Sequence, residues 1–168
     1  MSEIFYSSFT NSLGKICLAS TNKGLCWLTI DKSNRISSIP NFLEKQYRKI
    51  VKPAEDNHKE IKEQFEHYLN GNLTEFTCPI DFIEGTPFQQ EVWREMCKIP
   101  YGQVVSYKEI AQSVGRPKAY RAVGHAVGAN PIAIIVPCHR VISSDGSLCG
   151  YGLGLDLKKR LLILEGAL

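Results

Sequence analysis

The most informative stretch of the sequence is residues 134–141, Ile-Ile-Val-Pro-Cys-His-Arg-Val. An apolar run carries the chain to Pro137, which fixes the backbone where the run ends. This pattern predicts a buried strand that holds the thiol of Cys138 rigidly beside an imidazole and a guanidinium. We expect these cationic neighbours to favour the thiolate, the nucleophilic form of cysteine. A cysteine is more often simply buried, but His139 and Arg140 are costly to bury without partners.

Helix signals precede this stretch. Thr86-Pro87-Phe88-Gln89 is a capping box that predicts a helix to about residue 98, and Ser106-Tyr107-Lys108-Glu109 is a second one that predicts a helix to about residue 114. After the turn Gly115-Arg116-Pro117, a third helix is expected to about residue 127, where Asn130-Pro131 ends it. Two short helices joined by a glycine-containing turn are typical of a helix-turn-helix. Beyond the apolar run we expect a glycine-rich loop over residues 143–155 and then a last helix over residues 156–164.

The first half of the chain has a different pattern. Three segments rich in β-branched and aromatic residues are separated by Asn- and Gly-containing turns, which predicts an antiparallel meander over residues 3–9, 15–20 and 25–30. Two helices are expected after it, over residues 40–50 and 57–69. The second of these is closed by Asn70-Gly71, and residues 71–84 are predicted to be a linker.

Composition is that of a globular chain with a substantial core. The 168 residues are 43% hydrophobic and 22% charged, enough for one large or two small domains. The net charge of +3 comes from residues 84–168, which carry ten basic and seven acidic side chains. Several of those basic residues gather around the predicted helix-turn-helix, and such a cluster fits a surface that faces phosphates. They are Lys98, Lys108, Arg116, Lys118 and Arg121.

Several classes of protein are disfavoured by the sequence. It has no apolar run long enough to span a bilayer, and its polar N-terminus is unlike a signal peptide. We therefore expect an intracellular protein that is not secreted and does not act at a membrane. None of the six cysteines forms a Cys-x-x-Cys pair, which disfavours zinc and redox motifs, and a disulfide framework is not expected.

The motifs around Cys138 resemble those of the O6-alkylguanine-DNA alkyltransferases, also called methylated-DNA–protein-cysteine methyltransferases. The resemblance is continuous from about residue 85 to about residue 165, and its motifs follow the family's order and spacing. They are Gly85-Thr86-Pro87-Phe88-Gln89, Tyr101-Gly102-Gln103-Val104-Val105-Ser106-Tyr107, Arg121-Ala122-Val123-Gly124, Asn130-Pro131, Pro137-Cys138-His139-Arg140-Val141 and Glu165-Gly166.

The resemblance implies an α/β protein of two domains. Residues 1–83 would form a ribonuclease-H-like supporting domain, an antiparallel sheet plus helix, with a linker from about residue 71. Residues 84–168 would form a mostly helical domain of the winged or helix-turn-helix type, which binds DNA and holds the active-site cysteine.

The resemblance also implies catalytic roles. Cys138 is then the nucleophile that accepts the alkyl group, and His139 is the base that removes its proton through a water molecule. Glu165 orients that histidine. Tyr107 donates a proton or a hydrogen bond to guanine N3, and Asn130 ties the helix-turn-helix to the active-site turn.

For DNA binding, the family pattern places the second helix of the motif in the minor groove. Arg121 would enter the duplex where the target base has flipped out. The other implied DNA contacts are Arg116, Lys118, Ala122 and Gly124. The pocket for the flipped base would be lined by Pro137, Val141, Tyr151, Gly152 and Leu153. Because Leu153 stands where relatives that accept bulky groups have glycine, we predict that methyl is preferred over benzyl.

The activity implied is direct reversal of DNA damage, with a single irreversible turnover per chain. The partner is double-stranded DNA that contains O6-alkylguanine, with O4-alkylthymine as a possible minor substrate. No cofactor or metal is required, and a monomer in solution is expected. The expected compartment is the cytoplasm, or the nucleus in a eukaryote.

Three other functions compete with this one. Alkyltransferase-like proteins bind lesions but lack the cysteine of this turn, so Cys138 argues against them. A cysteine hydrolase would need a histidine brought to the thiol from elsewhere and an oxyanion hole, and His58, His67 and His125 have no context for that role. A transcription regulator would usually need a dimerisation element and a more polar recognition helix.

Overall fold

The computed structural model describes residues 2–168, and in it the chain forms two compact units that divide between Ile83 and Glu84. The first unit is built on a sheet with helices, and the second is mostly helical. This is the two-part α/β organisation predicted from the sequence.

Four strands form the sheet of the first unit, in the order β3-β2-β1-β4. Their bounds are Glu3–Asn11 for β1, Gly14–Ser20 for β2, Leu25–Asp31 for β3 and Ile50–Pro53 for β4. The first three strands pair in antiparallel fashion as the predicted meander. The fourth pairs parallel to β1, with Ile4 opposite Val51, so the sheet is mixed and contains one parallel strand beside the antiparallel meander.

The missed strand has a physical explanation. Helix α1 runs over Ile39–Tyr47, shorter than the predicted residues 40–50, because Arg48 adopts a left-handed conformation with φ of 53° and ends it. The four residues of β4 follow and pair at the edge of the sheet, where a strand can end in a proline. The helix supplies the crossover that parallel pairing requires.

The sheet of the first unit packs against two helices. Ile39 and Leu43 of α1 join a buried cluster with Ile4 of β1, and helix α2, Lys59–Leu69, also packs on the sheet. The predicted apolar face of this helix is confirmed for Ile61, Phe65 and Tyr68, which are buried, and the ring of Phe65 lies 5.9 Å from that of Phe9 on β1. A short 3₁₀ turn, Glu55–His58, precedes the helix and buries His58 against the strands.

The predicted linker, residues 71–84, is partly fixed to the sheet. The amide of Leu25 donates to the carbonyl of Pro79, and the amide of Asp81 donates to the carbonyl of Leu25, each at 2.8 Å. A Cβ on Gly24 would lie 2.6 Å from the Pro79 oxygen, so this close approach requires glycine. The segment therefore extends the edge of the sheet at β3, and this part of the predicted linker is fixed to the first unit.

The second unit contains four helices and a small two-stranded sheet. The helices are α3 at Pro87–Met96, α4 at Tyr107–Ser113, α5 at Tyr120–Gly128 and α6 at Leu155–Leu164. The strands, β5 at Val105–Ser106 and β6 at Val141–Ile142, pair in parallel, so the chain leaving the cysteine turn lies beside the start of α4.

Both predicted capping boxes are confirmed. Thr86 and Gln89 exchange side-chain and backbone hydrogen bonds at the start of α3, and Ser106 and Glu109 do the same at the start of α4. The indole nitrogen of Trp93, buried on α3, donates to a carbonyl near the end of α5 at 2.7 Å. The helix-turn-helix pair, α4 and α5, is thus held against α3.

Candidate active site

The turn that carries the cysteine differs from the predicted strand. Residues 134 and 135 form a turn, and Ala133 and Val136 make only an isolated bridge. Ile134 has a φ of 71°, an unusual conformation for a β-branched residue. The prediction of a buried strand is therefore wrong, because an apolar run signals burial and does not distinguish an extended segment from a buried turn.

The side chain of Asn130, and not a neighbouring strand, forms hydrogen bonds with the backbone of this turn. The Asn130 amide nitrogen donates to the Val136 carbonyl at 2.8 Å, and its oxygen accepts from the Ile132 amide at 3.0 Å. Asn130 also hydrogen-bonds the Cys138 thiol. The end of α5 is thereby tied to the turn that leads to the cysteine.

Cys138 begins a 3₁₀ turn, Cys138–Arg140, and is 8% exposed. Burial raises the pKa of its thiol, and the neighbouring Asn130 and Tyr151 side chains, together with the charge of Lys158, oppose that rise. Burial therefore outweighs the effect of the cationic neighbours that were expected to favour the thiolate. In the free protein the thiol is the favoured form, and a base must remove its proton.

The base nearest in sequence is built into a buried hydrogen-bonded chain. His139 is completely buried, and its Nε2 lies 2.8 Å from Oε1 of Glu165. The same carboxylate accepts two hydrogen bonds from Arg140, from Nε at 2.9 Å and from Nη2 at 2.8 Å. Arg140 also donates from Nη1 to the Ile99 carbonyl at 2.7 Å.

This arrangement fixes the protonation of the imidazole. Paired with Arg140, Glu165 is a carboxylate and can only accept, so Nε2 of His139 carries the hydrogen. Burial lowers the pKa of His139 despite the opposing effect of Glu165, so the ring is neutral. Its Nδ1 therefore holds a lone pair, and no group among residues 2–168 hydrogen-bonds that atom. A neutral, oriented imidazole in which one buried nitrogen makes no hydrogen bond can act as a proton acceptor.

Two charged residues of this site have roles that the sequence did not predict. Arg140 was noted only as a cation near the thiol, but it is neutralised by Glu165. Lys158 of α6 was missed altogether. It is completely buried, and its Nζ donates to the Val141 carbonyl at 2.6 Å. A signal was present, because Lys158 shares its helix face with Leu161 and Leu162, three and four residues later.

Tyr107 opens α4 and is half-buried beside the cysteine site. Burial raises its pKa, and the nearby thiols of Cys149 and Cys138 raise it further, so the phenol keeps its proton at neutral pH. A phenol that retains its proton in this way can donate a hydrogen bond to an acceptor atom of a ligand bound at the site.

The predicted pocket residues differ in how far they are buried. Pro137 and Val141 are buried, one and three residues from Cys138 in sequence, and Tyr151 lies near enough to lower the pKa of the thiol. Leu153 is half-buried, whereas Gly152 is exposed and a Cβ there would meet nothing within 4 Å.

The predicted DNA-contacting residues lie on the open side of α5 and on the turn before it. Arg116, Lys118, Arg121 and Ala122 are exposed, while α5 buries Val123, Ala126 and Val127. A Cβ on Gly124 would lie 3.9 Å from the ring of Tyr107, an ordinary contact distance. The second helix of the motif therefore presents basic and small residues to solvent.

Family models match nearly the whole chain. Residues 4–82 match the model of the 6-O-methylguanine DNA methyltransferase, ribonuclease-like domain, and residues 87–167 match that of the 6-O-methylguanine DNA methyltransferase, DNA binding domain. The chain belongs to the 6-O-methylguanine DNA methyltransferase family. Its members repair alkyl damage in DNA by transferring the alkyl group to a cysteine, and the protein is an enzyme of this class.

Individual family members show the same likeness along the full chain. The methylated-DNA–protein-cysteine methyltransferase of Methanosarcina barkeri is 45% identical over 163 residues, 96% of this chain and 97% of that protein. The inducible enzyme of Bacillus subtilis is 42% identical over 149 residues, 88% of this chain and 82% of its own. The crystal structure of Mycobacterium tuberculosis OGT in complex with DNA superposes with a TM-score of 0.81 at 40% identity, covering 98% of this chain and 93% of that one.

Family membership decides between the alternatives left open by the sequence. The cysteine hydrolase and the transcription regulator are set aside in favour of the methyltransferase. Within residues 2–168, no helix combines the length and the apolar composition that crossing a bilayer requires. The same residues contain no group of three or more His, Cys, Asp or Glu side chains placed to hold a metal ion.

Proposed function

We propose that the protein restores guanine in double-stranded DNA by moving the alkyl group from O6 of a flipped O6-alkylguanine to Sγ of Cys138. One observation carries this proposal. A buried thiol precedes a neutral imidazole whose Nε2 is held by a buried Glu165–Arg140 pair and whose Nδ1 is open.

Proton removal is the first step of the proposed reaction. Nδ1 of His139 takes the proton of Cys138 through a bridging water molecule. The imidazolium that results is balanced by Glu165 at 2.8 Å, which Arg140 keeps ionised and in place. The buried carboxylate thus stabilises the charge that develops on the ring.

Alkyl transfer follows. The thiolate sulfur attacks the alkyl carbon, the S–C bond forms as the C–O6 bond breaks, and the bonding electron pair leaves with the guanine. Tyr107 donates a hydrogen bond to guanine N3, and the departing base takes up the proton that Cys138 gave to His139, so that ordinary guanine and a neutral imidazole result. Because the pKa of Tyr107 is raised, the donor keeps its proton until the base arrives.

The DNA would meet the exposed side of the helix-turn-helix. Small residues on α5, Ala122 and Gly124, allow the minor groove to approach closely, and Arg121 fills the gap that the flipped base leaves. Flipping costs a few kcal/mol, and such an insertion offsets part of that cost. Arg116 and Lys118 contact phosphates, so binding weakens as salt rises and depends little on sequence.

Selection of the alkyl group depends on the pocket. The carbonyls of Cys138 and Val141 accept from the guanine amino group, Tyr151 packs on the base, and an amide near Gly152 meets O6. Pro137 holds the turn, and Leu153 narrows the space for the alkyl group, so that methyl is transferred faster than benzyl. O4-methylthymine is a slower substrate.

The product is a thioether on Cys138. Each chain, acting as a monomer, repairs one lesion and needs no cofactor, since the protein is its own acceptor.

The experiment is a titration of a duplex with one radiolabelled O6-methylguanine, in which restored guanine is measured by chromatography. We expect one guanine per chain at saturation, none with Cys138→Ala, and the wild-type yield with the matched control Cys97→Ala, which alters an exposed cysteine. Lesion binding without restored guanine would overturn the proposal and leave a lesion-recognition protein.

A further inference from the structure

Tyr120, the first residue of α5, is an exposed aromatic side chain. Among residues 2–168 only two aromatic side chains are exposed, Tyr120 at 39% and Phe42 of the first unit at 40%. The Phe42 ring packs on that of Trp27, with 5.4 Å between the ring centres, whereas Tyr120 contacts a cation. Tyrosine is enriched where proteins bind partners, because its ring is apolar and its hydroxyl tolerates water.

The cation beside this ring is Lys108, the second residue of α4. Its Nζ lies 5.7 Å from the centre of the Tyr120 ring, within the range of a cation–π contact. Lys108 is exposed, and no carboxylate among residues 2–168 forms an ion pair with it. Its charge is therefore available to an anion, at a position that the ring restricts.

Tyr120 lies at the edge of the exposed face of α5, on the side of α4. It shares a helix face with Gly124, four residues later, where a Cβ would lie 3.9 Å from the Tyr107 ring of α4. Arg121 is exposed and points about 100° further around the helix. The contact with Lys108 also comes from α4, so two observations place Tyr120 on this side.

This position determines what Tyr120 meets when DNA is bound. A helix that lies in a groove with Arg121 toward the base pairs turns its edges toward the walls, which consist of deoxyriboses and phosphates. The flipped guanine of the proposed reaction contacts Tyr107. The wall on the side of α4 is therefore the strand that carries the lesion.

We propose that Tyr120 and Lys108 are positioning residues that together hold the lesion strand, with the Tyr120 ring packed on a deoxyribose and the Lys108 ammonium on a phosphate beside the flipped nucleotide. This inference rests on the proposed function, because the choice of strand follows from the contact between Tyr107 and the flipped base.

The chemistry of the two side chains suits the two parts of a nucleotide. The ring is apolar, as are the C–H faces of a deoxyribose, and the ammonium matches the charge of a phosphate. Because the ring already restricts Lys108 in the free protein, less side-chain freedom is lost when the phosphate binds. A strand held beside the lesion would favour the flipped state of the damaged nucleotide.

The first test is the affinity for a duplex with one O6-methylguanine, measured by fluorescence anisotropy in the Cys138→Ala background, where no alkyl group can be transferred. We expect Tyr120→Ala to raise Kd about tenfold. Tyr120→Phe keeps the ring and should change Kd less than about twofold. Phe42→Ala, which removes a ring of equal exposure in the first unit, is the matched control and should leave Kd unchanged.

The salt dependence of the same affinity tests Lys108. Loss of one phosphate contact in Lys108→Gln should reduce the slope of log Kd against log salt concentration by about one. A lysine that only covers the Tyr120 ring would leave this slope unchanged. An unchanged slope, or an unchanged Kd in Tyr120→Ala, would overturn the inference.

Uncharged methylphosphonates identify the strand. When they replace the phosphates on either side of the lesion, Lys108→Gln should weaken binding by less than about twofold more, since the contact is already lost. When they are placed opposite the lesion in the other strand, the substitution should have its full effect. The reverse pattern would overturn the assignment to the lesion strand.

Binding by the Cys138→Ala protein requires no alkyl transfer, so the inference and the proposed function can fail separately. Unchanged binding in Tyr120→Ala and Lys108→Gln, with intact methyl transfer by the chain that retains Cys138, would overturn the strand contact alone. The expected losses of affinity without methyl transfer would support the strand contact and overturn the proposed function.

Discussion

Two histidines, one in each unit, are both buried but have different roles. His58 lies against the sheet of the first unit, with Nδ1 2.5 Å from the Ser7 hydroxyl and Nε2 2.8 Å from the Ser20 hydroxyl. His139 lies in the second unit with Nε2 on Glu165 and Nδ1 open. Burial lowers the pKa of both rings.

The two rings differ in how many of their nitrogens form hydrogen bonds. Both nitrogens of His58 are used, so this ring links two strands and has no lone pair to offer a substrate. His139 has a fixed hydrogen bond on one side, to an anion that can balance a positive ring, and an unused lone pair on the other. A histidine of the first kind contributes to stability, and one of the second kind can act as a base.

The largest expected effect is on the rate of methyl transfer in His139→Gln. The glutamine amide can still donate to Glu165, but it cannot take the proton of Cys138. We expect the single-turnover rate at neutral pH to fall by a factor of about 10²–10⁴, as measured by rapid quench with an O6-methylguanine duplex. A rate within threefold of wild type would show that the open nitrogen has no role as a base.

Next in size is the effect of Glu165→Gln on stability. This change leaves the buried guanidinium of Arg140 without its counter-charge, and we expect a loss of about 3–5 kcal/mol in the free energy of unfolding. Denaturant unfolding measures it. The matched control, Glu95→Gln, breaks the exposed pair with Lys98, for which less than about 1 kcal/mol is expected. Equal losses in the two variants would contradict the assigned difference between the pairs.

The buried histidine of the first unit predicts a dependence of stability on pH. The pKa of His58 is lowered from 6.5 to about 4 in the folded protein, so the unfolded chain binds the proton more readily. Its contribution to stability is complete above about pH 6.5 and is lost as the pH falls toward 4, by up to about 3 kcal/mol. Urea unfolding of wild type and His58→Gln between pH 4 and 7 measures this, and parallel curves for the two proteins would refute it.

The smallest expected effect comes from Ser20→Ala. The substitution leaves Nε2 of His58 buried without a partner, at a cost of about 1–3 kcal/mol in unfolding free energy. Methyl transfer below the unfolding temperature should keep the wild-type rate, which separates the two histidines by function. Ser8→Ala, at an exposed position on the same sheet, is the control and should change neither quantity.

The features that could be predicted from the sequence are those that depend on residues close together in the chain. Capping boxes depend on residues three apart, and both were found at Thr86 and Ser106. The parallel strand β4 depends on β1, more than forty residues away, and four residues carry too little pattern to reveal it. Buried turns such as residues 134–135 have the composition of strands, so local pattern misassigned them.

The same reasoning applies to the site. Cys138, His139 and Glu165 were selected as a reacting set from motifs, and the structure places His139 and Glu165 in hydrogen-bond contact. The neutralisation of Arg140 by Glu165, and the burial of Lys158, depend on how α6 packs against the cysteine turn. Only the fold brings these groups together, so the direction of the Cys138 pKa shift could not be deduced from neighbours in sequence.

The most direct test of this account is peptide mass spectrometry after the protein is mixed with a duplex containing one O6-methylguanine. The account predicts one added methyl group on the Cys138 peptide, saturating at one per chain and absent in Cys138→Ala, with none on the exposed Cys149. A methyl group on Cys149 alone, or no added mass when the lesion is bound, would contradict it.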